Sequence, residues 1–479
     1  MIQSAAAARK LIGLEEALSR PRDDVIRTHN RRMNPRMMSV YEFIGLNNIP
    51  ARAQGPYFWD TDGRRYTDFL SAFGTLAFGH NPQRLLDALQ RVQSAGIPNL
   101  VEGPSRLAAA LAENLCSLAP RGLERVYFAN SGTETIDAAI KMARAATGRP
   151  AIVACRKAYH GRSIAALSVS DRREYRENFE PLLPQVRFVD FGDADALTGE
   201  LAARDVAGFL VEPLQGESGM NNAPPGYLAA ARQVCSRYGT ILIFDEIQCG
   251  LGRTGKFLAA DHDDVIPDCV LLGKALGGGV MPLSALLTTN EIFTASKGDA
   301  PQSPFHVSTY AANSYACAVG IAALEALVDE GLIERAADSG NYFAARLNEL
   351  KSRQPVIAAI RGKGLMLGVE LKPPGILRSV ASGAFGKQMQ NSDARYLLSG
   401  VVLRELITRR GLVTAITLHN ADVIRVQPPL NVTRDVIDEF IDGLDDTLTQ
   451  VKSYARTVWK SAPDIINFLR SRSVETAYE

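Results

Sequence analysis

The chain is poor in cysteine, and its cysteines follow no pairing pattern. Six occur in 479 residues, and no two of them form a Cys-x-x-Cys pair. They are Cys116, Cys155, Cys235, Cys249, Cys269 and Cys317. Disulfide scaffolds and zinc sites need closely spaced cysteines, so neither is expected and no metal site is predicted. Scattered thiols in apolar runs are typical of a reducing compartment, which predicts a cytoplasmic location.

Long apolar runs and an excess of charge of one sign are also missing. No stretch reaches the roughly 18 apolar residues that a membrane helix needs. The formal net charge is +1, so no strong field attracts nucleic acid or an anionic membrane. The N-terminal 32 residues lack the apolar core of a signal peptide, and their acidic residues argue against an import peptide. A large core is nonetheless available, because 46% of the residues are hydrophobic.

Short apolar runs alternate with longer amphipathic ones from about residue 65 to residue 325. Seven of these runs read as strands, at 125–130, 151–155, 186–191, 206–213, 240–246, 268–273 and 284–289. Nearly continuous apolar runs indicate strands that are buried on both faces. Helical stretches between them predict an α/β fold with a mostly parallel, doubly wound sheet.

The two ends of the chain have a different character. Residues 1 to about 60 predict a helix and then short strands, with Asp60, Asp62 and Gly63 forming a hairpin turn. From about residue 326 the pattern is α+β, after a helix that starts near residue 310. A polar segment at 373–399 predicts an insertion or loop, and nothing in the sequence explains the extension after about residue 455.

A glycine-containing helix start follows the first strand of the central region. Ser131, Gly132 and Thr133 open an amphipathic helix that Gly148 should end. Free N–H groups at a helix N-terminus, two hydroxyls and a glycine together suit a phosphate. An ordinary serine cap, with Glu134 in the first turn, is the alternative.

Asp245 stands at the end of four large apolar residues in TILIFDEIQCG. A buried carboxylate needs a cationic partner, and a protonated pyridine nitrogen would be one. The alternatives are an aspartate that caps a loop, or a magnesium-binding Walker B aspartate followed by Glu246. The second alternative gains some support from GLGRTGKF at 250–257, which resembles a phosphate-binding P-loop. Phe257, however, stands where Ser or Thr must bind magnesium, and no strand–loop–helix unit surrounds the segment.

Lys274 follows an apolar strand and precedes Gly277, Gly278 and Gly279. Desolvation at such a place lowers a lysine pKa and makes the amine nucleophilic toward an aldehyde, and the glycines would leave room for a ring beside it. A surface lysine after a strand is the alternative. Tyr159 and His160 follow another strand, where an aromatic ring could stack on a planar cofactor, although without other motifs such a segment is more often a plain loop.

The order and spacing of these motifs resemble the class III aminotransferases of the ornithine, acetylornithine and putrescine type. The resemblance runs from about residue 55 to 445 and rests on SGTE, YHG, VEPLQGE, FDEIQCGLGRTG, GKALGGG, STYAANSYACA and RGKGLMLGVEL. It implies the fold-type I architecture of pyridoxal 5'-phosphate (PLP) enzymes, with a seven-stranded large domain. It also implies a homodimer with active sites at the subunit interface. The corresponding domains are 1–60 as the N-terminal part of a small domain, 61–325 as the PLP-binding domain, and 326–479 as the C-terminal small domain with its extension.

The resemblance also implies a role for individual residues at the cofactor. Lys274 would hold PLP as a Schiff base and move the proton, and Asp245 would pair with the pyridinium nitrogen. Ser131, Gly132 and Thr133 would bind the phosphate, with Thr309 reaching it from the neighbouring subunit. The remaining cofactor-binding positions are Tyr159 and Ile247 on the two ring faces, Gln248 beside the phenolic oxygen, and His160 and Glu212.

Substrate recognition is implied at four further positions. Arg425 matches an arginine that grips an α-carboxylate, and Glu217 matches a glutamate that pairs with that arginine when no carboxylate is present. Arg162 matches an arginine for a dicarboxylate acceptor, and Phe73 stands where a pocket wall is expected. A surface ion pair is the alternative for Arg425 and Glu217. The sequence departs from the family at STYAANSYACA, where Ala311, Ala312, Ser314 and Tyr315 replace a common GGNP pattern.

The expected reaction is ping-pong transamination between an amine or amino acid, with an ω-amino group favoured, and a keto acid or aldehyde. Another PLP reaction on the same scaffold is the alternative: a decarboxylating transaminase, an aminomutase or a racemase. An ATPase and a PLP-binding scaffold without turnover are the remaining hypotheses. The partners would be small molecules, and neither nucleic acid nor membrane is expected.

Overall fold

The computed structural model describes residues 11–100, 103–297, 306–372 and 391–452. The α-helices are Leu14–Leu18, Arg22–Arg32, Pro35–Ile44, Gln83–Ser94, Arg106–Leu118, Gly132–Thr147, Ile164–Val169, Arg173–Arg176, Ala194–Leu201, Tyr227–Tyr238, Asn290–Ala295, Ser314–Asp329, Leu332–Arg353, Asn391–Glu405 and Arg434–Lys452. Shorter helices are the 3-10 turns Glu177–Phe179, Ala259–His262 and Lys274–Gly277 and the π-helical turn Leu406–Arg410.

The strands are numbered in chain order. They are β1 Pro50–Gln54, β2 Tyr57–Asp60, β3 Arg65–Asp68, β4 Arg125–Ala129, β5 Ala151–Cys155, β6 Val186–Val189, β7 Val206–Val211, β8 Leu214–Gln215, β9 Asn221–Asn222, β10 Ile241–Asp245, β11 Cys269–Leu272, β12 Ser284–Thr288, β13 Ile357–Lys363, β14 Met366–Leu371, β15 Leu412–Val413, β16 Ala415–Ile416 and β17 Val423–Val426.

The central sheet has seven strands in the order β4-β12-β11-β10-β7-β5-β6. The strand β12 runs antiparallel to both β11 and β4, and the other pairings are parallel. All seven strands predicted from the sequence are present, which confirms the mostly parallel α/β sheet. The carboxyl ends of the six mutually parallel strands therefore meet at one edge, where α/β proteins bind ligands.

The strands of this sheet are apolar because helices cover both faces. Every residue of β5, β7, β10, β11 and β12 is buried. The helix Gly132–Thr147 buries its apolar face, including Ile136 and Ile140, and ends at Gly148 in the left-handed conformation, as predicted. The pattern of near-continuous apolar strands thus reflects burial on two sides.

Smaller sheets lie at the two ends of the chain. The predicted hairpin is present as β2 and β3, with a tight turn that closes at Gly63. The order of the first small sheet is β1-β2-β3-β15, so a late strand joins early ones. The second small sheet has the order β13-β14-β17-β16, and Arg425 is on its strand β17.

Two expectations about the ends of the chain need correction. Three helices, rather than one, precede β1 within residues 11–44. The segment predicted as a loop at 373–399 includes residues 391–399, which belong to the helix Asn391–Glu405. Residues 373–390 and the extension after 452 lie outside the described residues. None of the helices in the described ranges combines the length and hydrophobicity of a membrane span.

Candidate active site

The carboxyl edge of the central sheet gathers the side chains that the sequence singled out. Asp245 ends β10, Lys274 follows β11, and the helix start at Gly132 follows β4. Tyr159 and His160 follow β5, and Glu212 follows β7 directly. Residues more than 100 positions apart in sequence therefore share one cleft, because parallel strands deliver their ends to the same edge.

Lys274 opens the 3-10 turn after β11 with a positive φ of 42°. Desolvation in its surroundings lowers the pKa of its amine, although the carboxylates of Asp245, Glu217 and Glu212 oppose this effect. The side chain remains partly accessible from the cleft. A lysine with these properties is a better nucleophile near neutral pH than an ordinary surface lysine.

The glycines after Lys274 allow close packing against a neighbouring segment, and not the approach of a ring as expected. A Cβ at Gly279 would lie 2.2 Å from Leu76 Cδ2, and one at Gly278 would lie 2.2 Å from Leu85 Cδ2. These glycines admit the leucines of a neighbouring segment, so the prediction that they leave room for a ring was wrong. Their packing fixes the turn that carries Lys274.

Asp245 is buried, at 4% exposure, and is held on both oxygens. Its Oδ1 accepts from the backbone N–H of Ile247 at 3.0 Å, and its Oδ2 lies 2.7 Å from Nδ1 of His160. His160 is itself buried, and its Nε2 has no hydrogen-bond partner among the described residues. The imidazole therefore orients the carboxylate through Nδ1, a contact that the sequence did not indicate.

The helix start at Ser131–Thr133 is closed tightly on one side. A Cβ at Gly132 would lie 2.8 Å from Ile247 Cδ1, so any larger residue there would require the Ile247 side chain to shift. Glu134 accepts from the backbone N–H of Asn130 at 2.7 Å, and thus caps the turn in place of the Ser131 side chain. The Thr133 hydroxyl donates to Ser163 Oγ at 2.7 Å. The first backbone N–H groups of the helix are the donors left for an anion.

Glu212 organises the loop that carries Tyr159. Its carboxylate accepts from the N–H of Tyr159 at 3.1 Å and from the N–H of Gly216 at 3.3 Å. Burial raises the pKa of Glu212 to about 7. A Cβ at Gly216 would lie 1.8 Å from Gln248 Oε1, which places Gln248 against this same loop.

Arg425 and Glu217 form a buried ion pair. Nη2 of Arg425 donates to Glu217 Oε2, the two residues are 0% and 5% exposed, and the N–H of Leu418 also donates to Glu217 at 3.2 Å. The alternative of a surface ion pair is therefore wrong. Removing either partner would leave a buried charge, at a cost of about 3–5 kcal/mol.

Phe73 lies over this pair on an unusual turn. Its ring is 4.9 Å from the Arg425 guanidinium carbon. Ser71, Ala72 and Phe73 have φ of 48°, 48° and 59°, a left-handed conformation that costs non-glycine residues on the order of 1–3 kcal/mol each. Asp68 accepts from Ser71 N–H at 2.7 Å, and Gln248 donates to the Phe73 carbonyl at 3.1 Å.

The remaining predicted positions are at the mouth of the cleft. Arg162 is exposed, and its guanidinium carbon lies 3.4 Å from the ring centroid of Tyr175 and 5.9 Å from that of Tyr159. Thr309 is exposed, and the adjacent Ser308 accepts from Asn130 at 2.8 Å. Ala312 has a φ of 56° where related sequences commonly have glycine. The departure in the sequence therefore leaves the glycine-like backbone in place.

Glu246 and the segment 250–257, which suggested only an ATPase site in the sequence, instead support the strand that carries Asp245. Glu246 is fully buried and accepts from the N–H groups of Ala259 and Ala260 at 2.9 and 2.8 Å. The segment 250–257 is followed by the short 3-10 turn Ala259–His262, so it lacks the long helix of a P-loop. The position of Glu246 directly after Asp245 was the signal in the sequence that this region supports the site.

Comparison with known proteins identifies the family. The model of the family Aminotransferase class-III matches residues 45–448. Aminotransferase PigE from Serratia sp. (strain ATCC 39006) is 32% identical over 463 residues, which are 90% of this chain and 54% of PigE. The chain therefore spans about half the length of that curated relative.

Solved structures agree with this result. An ornithine aminotransferase from Toxoplasma gondii superposes with a TM-score of 0.74 at 31% identity, over 85% of this chain and 92% of that one. Acetylornithine aminotransferase from Elizabethkingia anophelis gives a TM-score of 0.71 at 27% identity, over 90% and 100%. The predicted family, fold-type I architecture, PLP cofactor and transaminase reaction class are confirmed by these matches. The chain belongs to the class III aminotransferases.

Proposed function

We propose that this chain transfers the amino group of an amine or amino acid, with an ω-amino group favoured, to a keto acid or aldehyde in two half-reactions. The observation that carries the proposal is the meeting of the Lys274 amine and the oriented Asp245 carboxylate at the carboxyl edge of the sheet. A nucleophilic amine and a fixed anion are what a PLP enzyme requires of its protein.

The residues of the cleft fit PLP. Asp245 would face the ring nitrogen, and the N–H groups at Ser131–Thr133 would receive the phosphate. Ile247 and Tyr159 would face the two sides of the ring, with Gln248, His160 and Glu212 around them. When bound, the cofactor withdraws electrons from the reacting carbon of the substrate. The Asp245–His160 contact of 2.7 Å supports this placement, because it fixes an anion deep in the cleft.

Lys274 would carry the proton during transfer. Its amine must be neutral to accept a proton and must then donate it to the neighbouring position. Burial lowers the pKa of Lys274, which brings the neutral form closer to physiological pH. Among the neighbouring carboxylates, Asp245 and Glu217 oppose this lowering of the Lys274 pKa most strongly.

The Arg425–Glu217 pair favours a donor that reacts through an ω-amino group. Because Glu217 is paired with Arg425, the positive charge of the guanidinium is already neutralised and does not attract an α-carboxylate. A keto acid would have to displace Glu217 to reach the guanidinium. Arg162 at the mouth would then hold the far carboxylate of a dicarboxylate acceptor, and the apolar Phe73 would suit an aliphatic aldehyde.

We further propose a cytoplasmic homodimer with the domain division 1–60, 61–325 and 326–479. All six cysteines are free, and five of them are buried, which suits a reducing compartment. Val307 and Tyr310 are 74% and 59% exposed on either side of Thr309. A partner subunit that covers these apolar side chains would bring Thr309 to the phosphate site of the neighbouring subunit.

A spectral screen of donors tests the proposed function. PLP-loaded enzyme is mixed separately with ornithine, putrescine and N-acetylornithine, and bleaching of the yellow cofactor reports the first half-reaction. Colour should return on addition of 2-oxoglutarate, pyruvate or an aliphatic aldehyde. If no donor bleaches the cofactor, the proposal fails. Release of carbon dioxide, or conversion of one substrate without an acceptor, would instead indicate another PLP reaction.

A further inference from the structure

The segment 250–257, which resembles a P-loop in sequence, contains a buried arginine with no evident role in the chemistry. Arg253 is 2% exposed. Its guanidinium donates to three backbone carbonyls: Leu365 at 3.2 Å, Pro428, and Gly74 at 3.5 Å. The three acceptors lie in chain segments that are far apart in sequence. One side chain therefore joins three segments.

Two of these segments carry the residues proposed to select substrate. Gly74 ends the left-handed turn on which Phe73 lies. Pro428 directly follows Gln427, which accepts from Arg425 Nη1 at 3.4 Å. Phe73 and Arg425 touch each other across the gap between the segments. The guanidinium of Arg253 thus sets how far apart the turn and the strand β17 can lie.

The third segment anchors Arg253 itself. Leu365 lies in the tight turn between β13 and β14, and its N–H donates to the Arg253 carbonyl at 3.0 Å. A Cβ at Gly364 would lie 2.5 Å from the carbonyl carbon of Thr254, so the two backbones are in direct contact. Since the arginine is fixed at its own backbone, the positions of Gly74 and Pro428 follow from it.

A buried guanidinium bound to neutral carbonyls is energetically unfavourable. Burial lowers the pKa of Arg253 to about 10, because the carbonyl dipoles replace its hydration incompletely. A hydrophobic side chain could fill the same space without a desolvation cost. The planar fork of arginine, by contrast, can bind several acceptors at fixed angles, which neither lysine nor an apolar residue can do.

We propose that Arg253 is a positioning residue for recognition of the substrate carboxylate, because it fixes the Phe73 turn relative to Arg425. This inference rests on the proposed function. Among the described residues, the hydrogen bonds of the Arg253 side chain go to Gly74, Leu365 and Pro428, and none goes to Lys274 or to a cofactor position. Its loss should therefore spare cofactor loading and impair those substrates whose carboxylate must reach Arg425.

The test compares 2-oxoglutarate with succinic semialdehyde, which lacks only the α-carboxylate. Enzyme aminated by a donor is mixed with each acceptor, and kcat/KM is measured for wild type and Arg253→Met. In Arg253→Met, we expect the kcat/KM for 2-oxoglutarate divided by that for succinic semialdehyde to be lower than in the wild type. The expected decrease is roughly 10- to 100-fold, the scale of a 1 Å misplacement. PLP affinity should remain at the wild-type value.

Arg149→Met is the matched control. Arg149 also donates to three carbonyls, of Val206, Tyr238 and Gly239, but at the opposite end of the sheet. It should lose stability without a change in the acceptor ratio. An equal fall in the ratio for both variants would overturn the inference, since the effect would then be a general loss of structure.

Arg253→Lys keeps the charge and replaces the fork with one ammonium group, so it serves if Arg253→Met fails to fold. The same fall in the ratio is expected, and an unchanged ratio in a soluble variant overturns the inference. If the wild-type enzyme aminates neither acceptor after any donor, the proposed function fails and the inference with it. Wild-type turnover with an unchanged ratio in the variants overturns the inference alone.

Discussion

At the scale of single residues, the site depends on two charged groups that the fold holds away from bulk water. Lys274 is desolvated, and Asp245 is oriented by His160 and by the N–H of Ile247. Ionised groups at such depth are expensive unless they are used or paired. The pairing of Asp245 with His160 leaves the lysine amine as the reactive group of the cleft.

Replacement of Lys274 by alanine should abolish covalent capture of PLP and most of the turnover. The proton carrier is lost with the amine, and general acid–base catalysis contributes about 10²- to 10⁴-fold. Borohydride reduction followed by mass spectrometry should locate the cofactor on Lys274 in the wild type and nowhere in the variant. Wild-type turnover by Lys274→Ala would contradict the assignment.

At the scale of secondary-structure elements, a buried carboxylate couples β10 to the 3-10 turn Ala259–His262. Glu246 follows Asp245, is 0% exposed, and accepts from two N–H groups of that turn and from Cys249 Sγ at 3.1 Å. Burial raises the pKa of Glu246 from 4.5 to about 7, against the effect of these hydrogen bonds. The loop that carries Arg253 is thus attached to the strand that carries Asp245.

Glu246→Gln should change how stability depends on pH. Because the pKa of Glu246 is higher in the folded state, the folded state binds the proton more tightly. The contribution of Glu246 to the free energy of unfolding therefore decreases as pH rises from 4.5 to about 7. The wild type should therefore lose thermal stability relative to the variant across that window. Parallel profiles of the thermal midpoint would contradict this, and Glu113→Gln at an exposed helix position is the control.

At the scale of the whole molecule, apolar surface near the site is unusually exposed. Val307 and Tyr310 flank Thr309, and Ile97 and Leu100 are 40% and 44% exposed. The Ser314–Asp329 helix ties these stretches together, since Ser314 donates to the carbonyls of Pro98 and Asn99. Exposed apolar side chains in two stretches that Ser314 joins are consistent with the proposed homodimer.

Tyr310→Glu should convert the dimer to a monomer and weaken PLP binding. The introduced charge would be buried without a partner at the interface, and Thr309 would no longer reach the neighbouring phosphate site. Sedimentation velocity and a PLP titration measure the two effects. Phe179→Glu, on the 3-10 turn before the opposite edge strand and 57% exposed, should remain dimeric. A dimeric Tyr310→Glu with normal PLP affinity would contradict the proposed interface.

Much of the fold was predictable because strands buried on two faces have a strong local signature. All seven strands of the central sheet and the helix Gly132–Thr147 follow from apolar runs, a glycine stop and the spacing between them. The loop prediction for 373–399 was wrong over residues 391–399, which belong to a helix, because polar composition alone does not distinguish a helix from a loop. The glycines after Lys274 were misinterpreted because the leucines that approach them come from about 200 residues away in the chain.

The sequence by itself determined the family, the order of the strands along the chain, and the residue types that carry the chemistry, since these are properties of local pattern and motif order. Only the tertiary structure decided which partners those residues meet: His160 at Asp245, Glu217 at Arg425, and three carbonyls at Arg253. Such contacts join positions 85 to more than 200 residues apart, or several segments at once. A hydrogen bond depends on distance and angle in space, and neither is encoded in the spacing of residues along the chain.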